Sequence, residues 1–157
     1  IPRHINRAFY IKNLSKKFKL KAQVLNENDL INANNEILII NSFGVLDKYF
    51  NYCKNVFIGK SLVKKLALDS GQNPIEAAKA GCTIFHGPYV YNFKEIYNSL
   101  SLENIANQIS TEKELSSKLI QNFKDPKIIN EQQIKKLNIY GQKILTETVL
   151  KLNNFLK

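Results

Sequence analysis

The chain has 157 residues, of which 44% are hydrophobic, enough to bury one sizeable core, and a second full domain is not expected. Lys and Arg outnumber Asp and Glu by 23 to 13. The resulting net charge of +10 favours anionic partners such as nucleotides, phospholipid head groups or nucleic acid, without choosing among them. A signal peptide and an apolar run of about 18 residues are both absent, so no membrane-spanning segment is predicted in this stretch.

The start of the chain and its cysteines carry two further expectations. The chain begins at Ile1 and contains no Met, so we expect a fragment of a longer protein. Cys53 and Cys82 form no metal-binding pair and lie in segments that look internal. We therefore predict two buried free thiols in a reducing compartment.

The first third of the chain alternates between helical and strand patterns. Residues 5–18 carry apolar side chains at loose helical spacing, and residues 20–25 alternate like a strand. Residues 36–40 form a continuous apolar run, typical of a central parallel strand covered by helices on both faces. Residues 44–53 fit a helix, and residues 55–59 a third strand. This order predicts an α/β fold with a parallel sheet.

The alternation continues after a polar loop. Asn73 followed by Pro74 predicts a helix start, and Gly81 predicts the end of that helix about two turns later. Residues 82–86 are the next predicted strand, and residues 92–100 the next helix. Residues 55–100 thus read as a strand, a loop, a helix start, a second strand and a second loop. Open α/β sheets use this order of elements to bind an anionic ligand beyond the ends of their strands.

The last third is predicted to be mainly helical. Residues 105–109 read as a short edge strand, and Thr111 with Glu114 forms a capping box for a helix that runs to Phe123. From Asn130 onward, apolar residues recur at helical spacing and predict a long amphipathic helix. We expect this helix to pack on the sheet rather than to lie on a membrane surface.

Five short motifs occur in a fixed order along residues 1–100. They are Pro2-Arg3-His4 with Arg7, Ser42-Phe43-Gly44, Gly59-Lys60-Ser61-Leu62-Val63, Asn73-Pro74-Ile75-Glu76, and Gly87-Pro88 with Asn92-Phe93. With these motifs the chain resembles the C-terminal domain of the 3-deoxy-D-manno-octulosonic acid (Kdo) transferases, which are GT-B glycosyltransferases built from two Rossmann-like domains. The chain departs from the family pattern at Asn41 and Val45, where a carboxylate and Glu are usual, and at Gln72, where His is usual.

The resemblance implies a three-layer α/β/α, Rossmann-like fold for residues 1–157, a single donor-binding domain that lacks its first strand and helix. It also implies inverting transfer of Kdo from CMP-Kdo to a lipid A precursor in lipopolysaccharide biosynthesis. No cofactor, no obligatory metal and no nucleic acid partner are implied. The general base and the acceptor site would lie in an N-terminal domain absent here, so no catalytic residue is assigned and the fragment is expected to be inactive. The location implied is the cytoplasmic face of the bacterial inner membrane, peripheral or anchored through the missing part.

The resemblance also implies that the donor is held by residues of the five motifs. The candidate substrate-binding residues are Arg3, His4, Arg7, Ser42, Gly44, Gly59, Ser61, Asn73, Glu76, Gly87, Pro88 and Asn92. The two arginines offer guanidinium forks for a carboxylate or phosphate. Ser61 can donate to phosphate or sugar oxygens, and the helix start at Asn73 offers backbone N–H groups to the leaving phosphate.

Several of these residues also have a structural interpretation. Glu76 either accepts hydrogen bonds from the ribose hydroxyls or closes a capping box with Asn73. Ser42 is equally compatible with a plain helix N-cap, and Asn92 with a cap of the following helix. His4, beside a strand end, is compatible with a purely structural hydrogen bond.

Two alternative functions come from other observations. The net charge of +10 and the lysine-rich run at residues 16–21 are compatible with a non-enzymatic module that binds RNA or an anionic membrane. A GT-B transferase with another nucleotide-sugar donor is also compatible, because a sheet with a helix-end site is generic. CMP binding that competitor RNA leaves unaffected would favour the Kdo transferase.

Overall fold

Parallel strands alternate with helices along residues 1–2, 4–69, 71–127 and 129–155, which are the residues described by this computed structural model. The elements are α1 (Ala8–Lys17), β1 (Ala22–Leu25), β2 (Ile37–Ile40), α2 (Leu46–Phe50), β3 (Asn55–Ile58), α3 (Ile75–Lys79), β4 (Thr83–His86), α4 (Lys94–Leu102), β5 (Ala106–Gln108), α5 (Glu112–Lys124) and α6 (Glu131–Phe155). The chain forms two compact units, Ile1–Tyr49 and Phe50–Lys157. The α/β class with parallel strands and a long last helix is confirmed, and the single domain over residues 1–157 stays a prediction.

The first unit is built on a parallel pair of strands. In this pair β1 lies beside β2, with Ala22 opposite Ile37 and Leu25 opposite Ile40. Leu25 and Ile40 are buried together with Val45. The strand pair is covered by α1, whose inward side carries the buried Ala8. The predicted first helix and first two strands are therefore confirmed.

The helix that follows β2 is shorter than predicted, and this changes the environment of one cysteine. Instead of running from residue 44 to 53, α2 ends at Phe50, where the chain turns with the Cys53 N–H donating to the Phe50 carbonyl oxygen. Cys53 therefore leaves the helix face and is exposed, so its predicted burial was wrong. Cys82 is buried as predicted; its Sγ donates to the Cys53 carbonyl oxygen over 2.9 Å, and burial raises the pKa of its thiol to about 11.

The second unit contains a three-stranded parallel sheet with helices on both faces. The strand order is β3-β4-β5, so β4 is central and all four of its residues are buried. On one face, Ile84 packs in a core with Ala77 of α3 and with Tyr97 and Leu100 of α4. On the other face, α5 is tied to the sheet by a hydrogen bond from Lys118 Nζ to the Gln108 carbonyl oxygen. This unit therefore has the predicted α/β/α layers, and β5 is its predicted edge strand.

Side-chain and glycine caps fix the ends of α3. The Ile75 N–H donates to Asn73 Oδ1 over 3.0 Å, so Asn73 bonds the first turn of α3 as expected. The N-cap is Pro74, however, and α3 is Ile75–Lys79, so the helix starts one residue later than predicted. At the other end Gly81 has φ +75°, and the following Cys82 N–H donates to the Ala77 carbonyl oxygen, which confirms the predicted end.

The cap of α5 is a variant of the predicted capping box. Thr111 Oγ1 accepts from the Glu114 N–H over 3.1 Å, as predicted. The Glu114 carboxylate reaches back one residue further than expected, to the Ser110 N–H at 2.8 Å. This hydrogen bond, with a contribution from Lys118, lowers the pKa of Glu114.

Only the first turns of α6 pack on the rest of the second unit. Leu137 lies against the core, and Lys136 pairs with Glu103 at 2.8 Å. Every described residue from Gly141 to Phe155 is exposed. The prediction that α6 packs on the sheet along its length was therefore wrong for this second half, and Leu156 lies outside the described residues. Within the described ranges, no helix has both the length and the apolar character needed to cross a bilayer.

Candidate functional site

Three loops of the second unit meet at the carboxyl end of its sheet. The loop after β3 is joined to the loop after β4 by a hydrogen bond from the Tyr89 N–H to the Ser61 carbonyl oxygen, at 2.9 Å. The loop before α3 lies against the same region, since a Cβ on Gly71 would come within 3.2 Å of Val90. Loops at this end of parallel strands are where α/β folds bind ligands. The motifs around residues 59–61, 71–76 and 87–90 are thus brought together.

Ser61 is the internal link of this loop cluster. Its side chain is fully buried, and its Oγ donates to the Ile58 carbonyl oxygen at 2.6 Å while accepting from the Gly87 N–H at 2.8 Å. The hydroxyl proton is therefore committed within the protein. Direct donation from Ser61 to a ligand stays a prediction, whereas its bridging role is a property of the fold.

The two loop glycines serve different ends. A Cβ at Gly87 would lie 2.1 Å from the Ser61 carbonyl oxygen, so the loops can close only without a side chain there. Gly59 is exposed, and a Cβ there would meet nothing within 4 Å. The conformationally demanding residue beside it is Lys60, whose φ of 65° is in the left-handed region. The backbone strain of this loop is therefore located at Lys60 rather than at Gly59.

Glu76 does not form the capping box with Asn73 that the sequence allowed. Its side chain is exposed, and among the described residues no hydrogen bond links its carboxylate to the Asn73 N–H. Asn73 caps the helix by itself, through its own Oδ1. The capping-box interpretation of Asn73 and Glu76 was therefore wrong, and an uncommitted carboxylate lies at the start of α3.

A buried histidine that is not among the candidate site residues lies beneath the loops. His86, at the end of β4, is 3% exposed, and its ring centroid is 4.4 Å from that of Tyr97. Its Nδ1 lies 2.7 Å from the Gly87 carbonyl oxygen and therefore carries the proton of the neutral ring. Its Nε2 is buried and has no hydrogen-bond partner among the described residues. Burial lowers the pKa of His86, and the hydrogen bond to Gly87 acts in the opposite direction.

Tyr97 connects this histidine to the loop before α3. Its hydroxyl donates to the Gln72 carbonyl oxygen over 2.9 Å, and its burial raises the pKa of the phenol. Position 72 therefore contributes its backbone to the cluster. A histidine at a strand end was the available sequence signal for this layer, but nothing in the local pattern marked its partner eleven residues later.

In the first unit, Ser42 and Gly44 lie in the turn between β2 and α2. Gly44 has φ +70°, a conformation that favours glycine. Since α2 begins only at Leu46, Ser42 is not its N-cap, and that interpretation was wrong. Just before it, Asn41 Nδ2 donates to Asn26 Oδ1 at 3.0 Å, while Asn41 Oδ1 is buried and unpartnered within the described part of the chain.

His4 and Arg7, near the start of the chain, are exposed. His4 precedes a short 3₁₀ turn, Ile5–Arg7, and makes no side-chain capping bond there. The Arg7 guanidinium lies 5.7 Å from the Tyr10 ring centroid, within cation–π range. Arg3 lies outside the described residues.

The last loop leaves two candidates open to solvent. Pro88 and Asn92 are both exposed, and Asn92 lies in a 3₁₀ turn, Tyr91–Phe93. Because α4 begins at Lys94 with Phe93 at its N-cap, Asn92 does not cap that helix, and this interpretation was wrong. Across the described ranges, no group of three or more His, Cys, Asp and Glu side chains could hold a metal ion.

Sequence comparison finds relatives along nearly the whole chain. It is 30% identical over 145 residues to the 3-deoxy-D-manno-octulosonic acid transferase of Rickettsia prowazekii, covering 92% of this chain and 29% of that protein. It is 31% identical over 100 residues to the enzyme of the same name from Haemophilus influenzae, covering 64% and 22%. The chain thus spans less than a third of the length of either relative. No family model matches it. The resemblance to Kdo transferases is confirmed.

Comparison with solved structures finds a protein of similar fold. The chain is similar to the crystal structure of the C-terminal CMP-Kdo binding domain of WaaA from Acinetobacter baumannii, with a TM-score of 0.70 at 20% identity. The match covers 92% of this chain and 71% of that one. The predicted fold class is therefore confirmed.

Replacing Gly87 by Ala should destabilise the second unit strongly, because the added methyl would collide with the Ser61 backbone. We expect a loss of about 2–3 kcal/mol or more in the free energy of unfolding, measured by urea denaturation. Gly59→Ala is the matched control and should change it by no more than about 0.5 kcal/mol, since its methyl would enter open space. Equal effects of the two substitutions would contradict the close contact between the loops.

Stability should fall in mild acid because of His86. Its lowered pKa means that the unfolded chain binds a proton more readily than the folded chain, so stability is full above the ordinary imidazole pKa of 6.5 and is lost as the pH falls below it. Urea midpoints between about pH 8 and about pH 5 would measure this. His86→Gln should flatten the dependence in that range, and His4→Gln should retain it. A dependence unchanged in His86→Gln would show that another group is responsible.

Proposed function

We propose that this chain is the CMP-Kdo-binding part of a Kdo transferase, which transfers Kdo to a lipid A precursor during lipopolysaccharide biosynthesis. The observation that carries the proposal is the joint occurrence of two features. The chain is 30% identical over 145 residues to a Kdo transferase, and three of its motif loops meet at the carboxyl end of a parallel sheet.

The ribose of the donor is assigned to Glu76. A carboxylate can accept hydrogen bonds from two neighbouring hydroxyls at once, and this one is exposed and not used by a cap. Asn73 holds the start of α3 in place through its bond to the Ile75 N–H. Glu76 thus projects from a backbone whose position is fixed.

The phosphate and the sugar carboxylate need donors and positive charge. In the second unit we assign the leaving phosphate to the backbone N–H groups at the start of α3, with Gly59 and Asn92 as further contacts. Gly87 and Pro88 shape the loop beside them, because the Gly87 N–H donates to Ser61 Oγ and proline has no N–H. In the first unit, Ser42 and Gly44 at the end of β2 are further proposed contacts. Arg3 and Arg7 are proposed for the carboxylate, because guanidinium groups bind carboxylates in a forked geometry, and His4 is a further proposed contact with the donor.

The reaction follows from the donor chemistry. An acceptor hydroxyl attacks the anomeric carbon of Kdo, the new C–O bond forms on the opposite face, and the bond to the CMP phosphate breaks with its electrons leaving on CMP. The hydroxyl proton passes to a general base that we place in the part of the enzyme outside this chain. This chain therefore binds the donor and stabilises the charge that develops on departing CMP.

The acceptor determines where the enzyme works. A lipid A precursor is a membrane lipid, and we place the enzyme peripherally, or anchored through its other part, at the cytoplasmic face of the inner membrane. Nucleic acid is not a proposed partner. A donor other than CMP-Kdo is the competing possibility, and nucleotide selectivity distinguishes the two.

Titration with CMP, UMP and AMP, followed by backbone amide NMR, tests the donor assignment. CMP should selectively shift the amide signals of residues 59–61 and of Asn73, Ile75 and Glu76. Glu76→Ala should weaken CMP binding at least about tenfold, because a hydrogen bond to a charged group contributes about 1.5–3 kcal/mol. Its urea midpoint should stay nearly unchanged, since the carboxylate makes no structural bond.

Glu95→Ala is the matched control, because Glu95 is also an exposed glutamate in the first turn of a helix of the second unit. It should leave CMP binding unchanged. Equal affinity of all three nucleotides would reject the CMP assignment, and shifts confined to lysine-rich surfaces would reject the site.

The isolated chain should bind CMP weakly and transfer no Kdo. Holding both substrates in line supplies up to about 7–11 kcal/mol of a two-substrate reaction, and half of the cleft cannot orient an attacking hydroxyl. Incubation with freshly prepared CMP-Kdo and lipid A precursor measures this, with a protein-free control because the donor hydrolyses unaided. Product above that control would place the catalytic base within these residues.

A further inference from the structure

We propose that the outward face of α1 and the segment after it form a docking surface for an anionic phospholipid membrane. This surface, the α1 platform, consists of Phe9, Tyr10, Leu14, Lys16, Lys17, Phe18, Lys19, Leu20 and Lys21, all of them exposed. It belongs to the first unit and rests on the membrane location in the proposed function, to which it adds a specific surface. It does not depend on CMP binding, so the two proposals can fail separately.

The helix itself separates two faces. Ala8 and Ser15, one face of α1, are buried, with Ile11 half-buried between them. Phe9 and Tyr10, on the opposite face, are 64% and 60% exposed, and Phe18 directly after the helix is 68% exposed. Large aromatic side chains are therefore presented to solvent in the part of the helix that is not needed for the core.

The charge of the platform has one sign. Between Arg7 and Lys21 there are six Lys or Arg residues and no Asp or Glu. Among the described hydrogen bonds of this segment, the one carboxylate involved is that of Glu36, which accepts from the Lys21 backbone N–H rather than pairing with a lysine side chain. The described ion pairs of the chain all involve lysines of the second unit. The platform lysines are thus available to an external anionic surface.

Cations interleaved with exposed aromatic rings match the interface of an anionic bilayer. Rings insert at the boundary between head groups and acyl chains, and lysines pair with the phosphates around them. Single-stranded RNA also uses cations and aromatic stacking, but it binds along a groove, whereas this surface is one convex face of a short helix. Charge and shape together favour the bilayer.

Because the chain contains no Trp, a single substitution reports on one position. In Phe9→Trp, vesicles of equal parts phosphatidylglycerol and phosphatidylcholine should shift the emission to the blue, and brominated acyl chains should quench it. Pure phosphatidylcholine vesicles should do neither. High salt should abolish the effect, since the screening length falls to about 3 Å at 1 M. Phe123→Trp, on an equally exposed ring of α5, is the matched control and should remain unshifted.

Charge removal provides a second measurement that does not touch the rings. A triple variant with Lys16→Gln, Lys17→Gln and Lys19→Gln should bind anionic vesicles more weakly, by about fivefold for each lysine removed. The same change at three exposed lysines of the second unit, Lys113, Lys124 and Lys135, is the matched control and should have a much smaller effect.

Three outcomes would overturn the assignment. One is Phe9→Trp emission that anionic vesicles leave unchanged at low salt. Another is equal weakening by the two lysine triples, which would indicate a diffuse effect of net charge. The third is tight binding of single-stranded RNA that shifts Phe9→Trp while vesicles do not, which would assign the platform to nucleic acid.

Discussion

One buried hydroxyl holds the candidate site together. Ser61 Oγ donates to the end of β3 and accepts from the first residue after β4, so two loops that are separate in the sequence become one structure. Removing the hydroxyl would leave the Gly87 N–H buried without a partner, at a cost of about 1–3 kcal/mol. The absence of a side chain at Gly87 is the other half of the same constraint, because the Ser61 backbone occupies the space that a Cβ would need.

This link divides the polar groups at the sheet end into two classes. Ser61, Tyr97 and His86 Nδ1 are buried and bonded within the protein, and they fix loop positions. Asn92 and Glu76 are exposed, and neither caps a helix. A site arranged in this way can bind a ligand without first reorganising its own hydrogen bonds. The left-handed Lys60 is supported by the same bonded layer, which offsets its backbone strain.

The local elements could be predicted from the sequence, because hydrophobic period and caps act over a few residues. Gly81 and Thr111 mark helix ends as predicted, and Asn73 bonds the first residue of α3 from one position before its N-cap. Some errors are local, since neither Ser42 nor Asn92 is a helix cap. Other errors concern contacts made at a distance. Cys53 is exposed because α2 stops early, and the hydroxyl of Ser61 is committed to a residue 26 positions away. The motifs therefore predicted which loops come together, whereas the fold was needed to show which of their polar groups are bonded within the protein and which are exposed.

The second half of α6 has a practical consequence for work with this chain. Every described residue of this stretch is exposed, including the large apolar side chains of Ile144, Leu145, Val149 and Phe155. Contiguous exposed apolar surface of this kind drives self-association. Because association is second order in protein, a sample concentrated for spectroscopy and one diluted for an assay would then contain different proportions of monomer and oligomer. Monomeric conditions can be found by removing the second half of α6, or by diluting the sample until its sedimentation coefficient no longer depends on concentration.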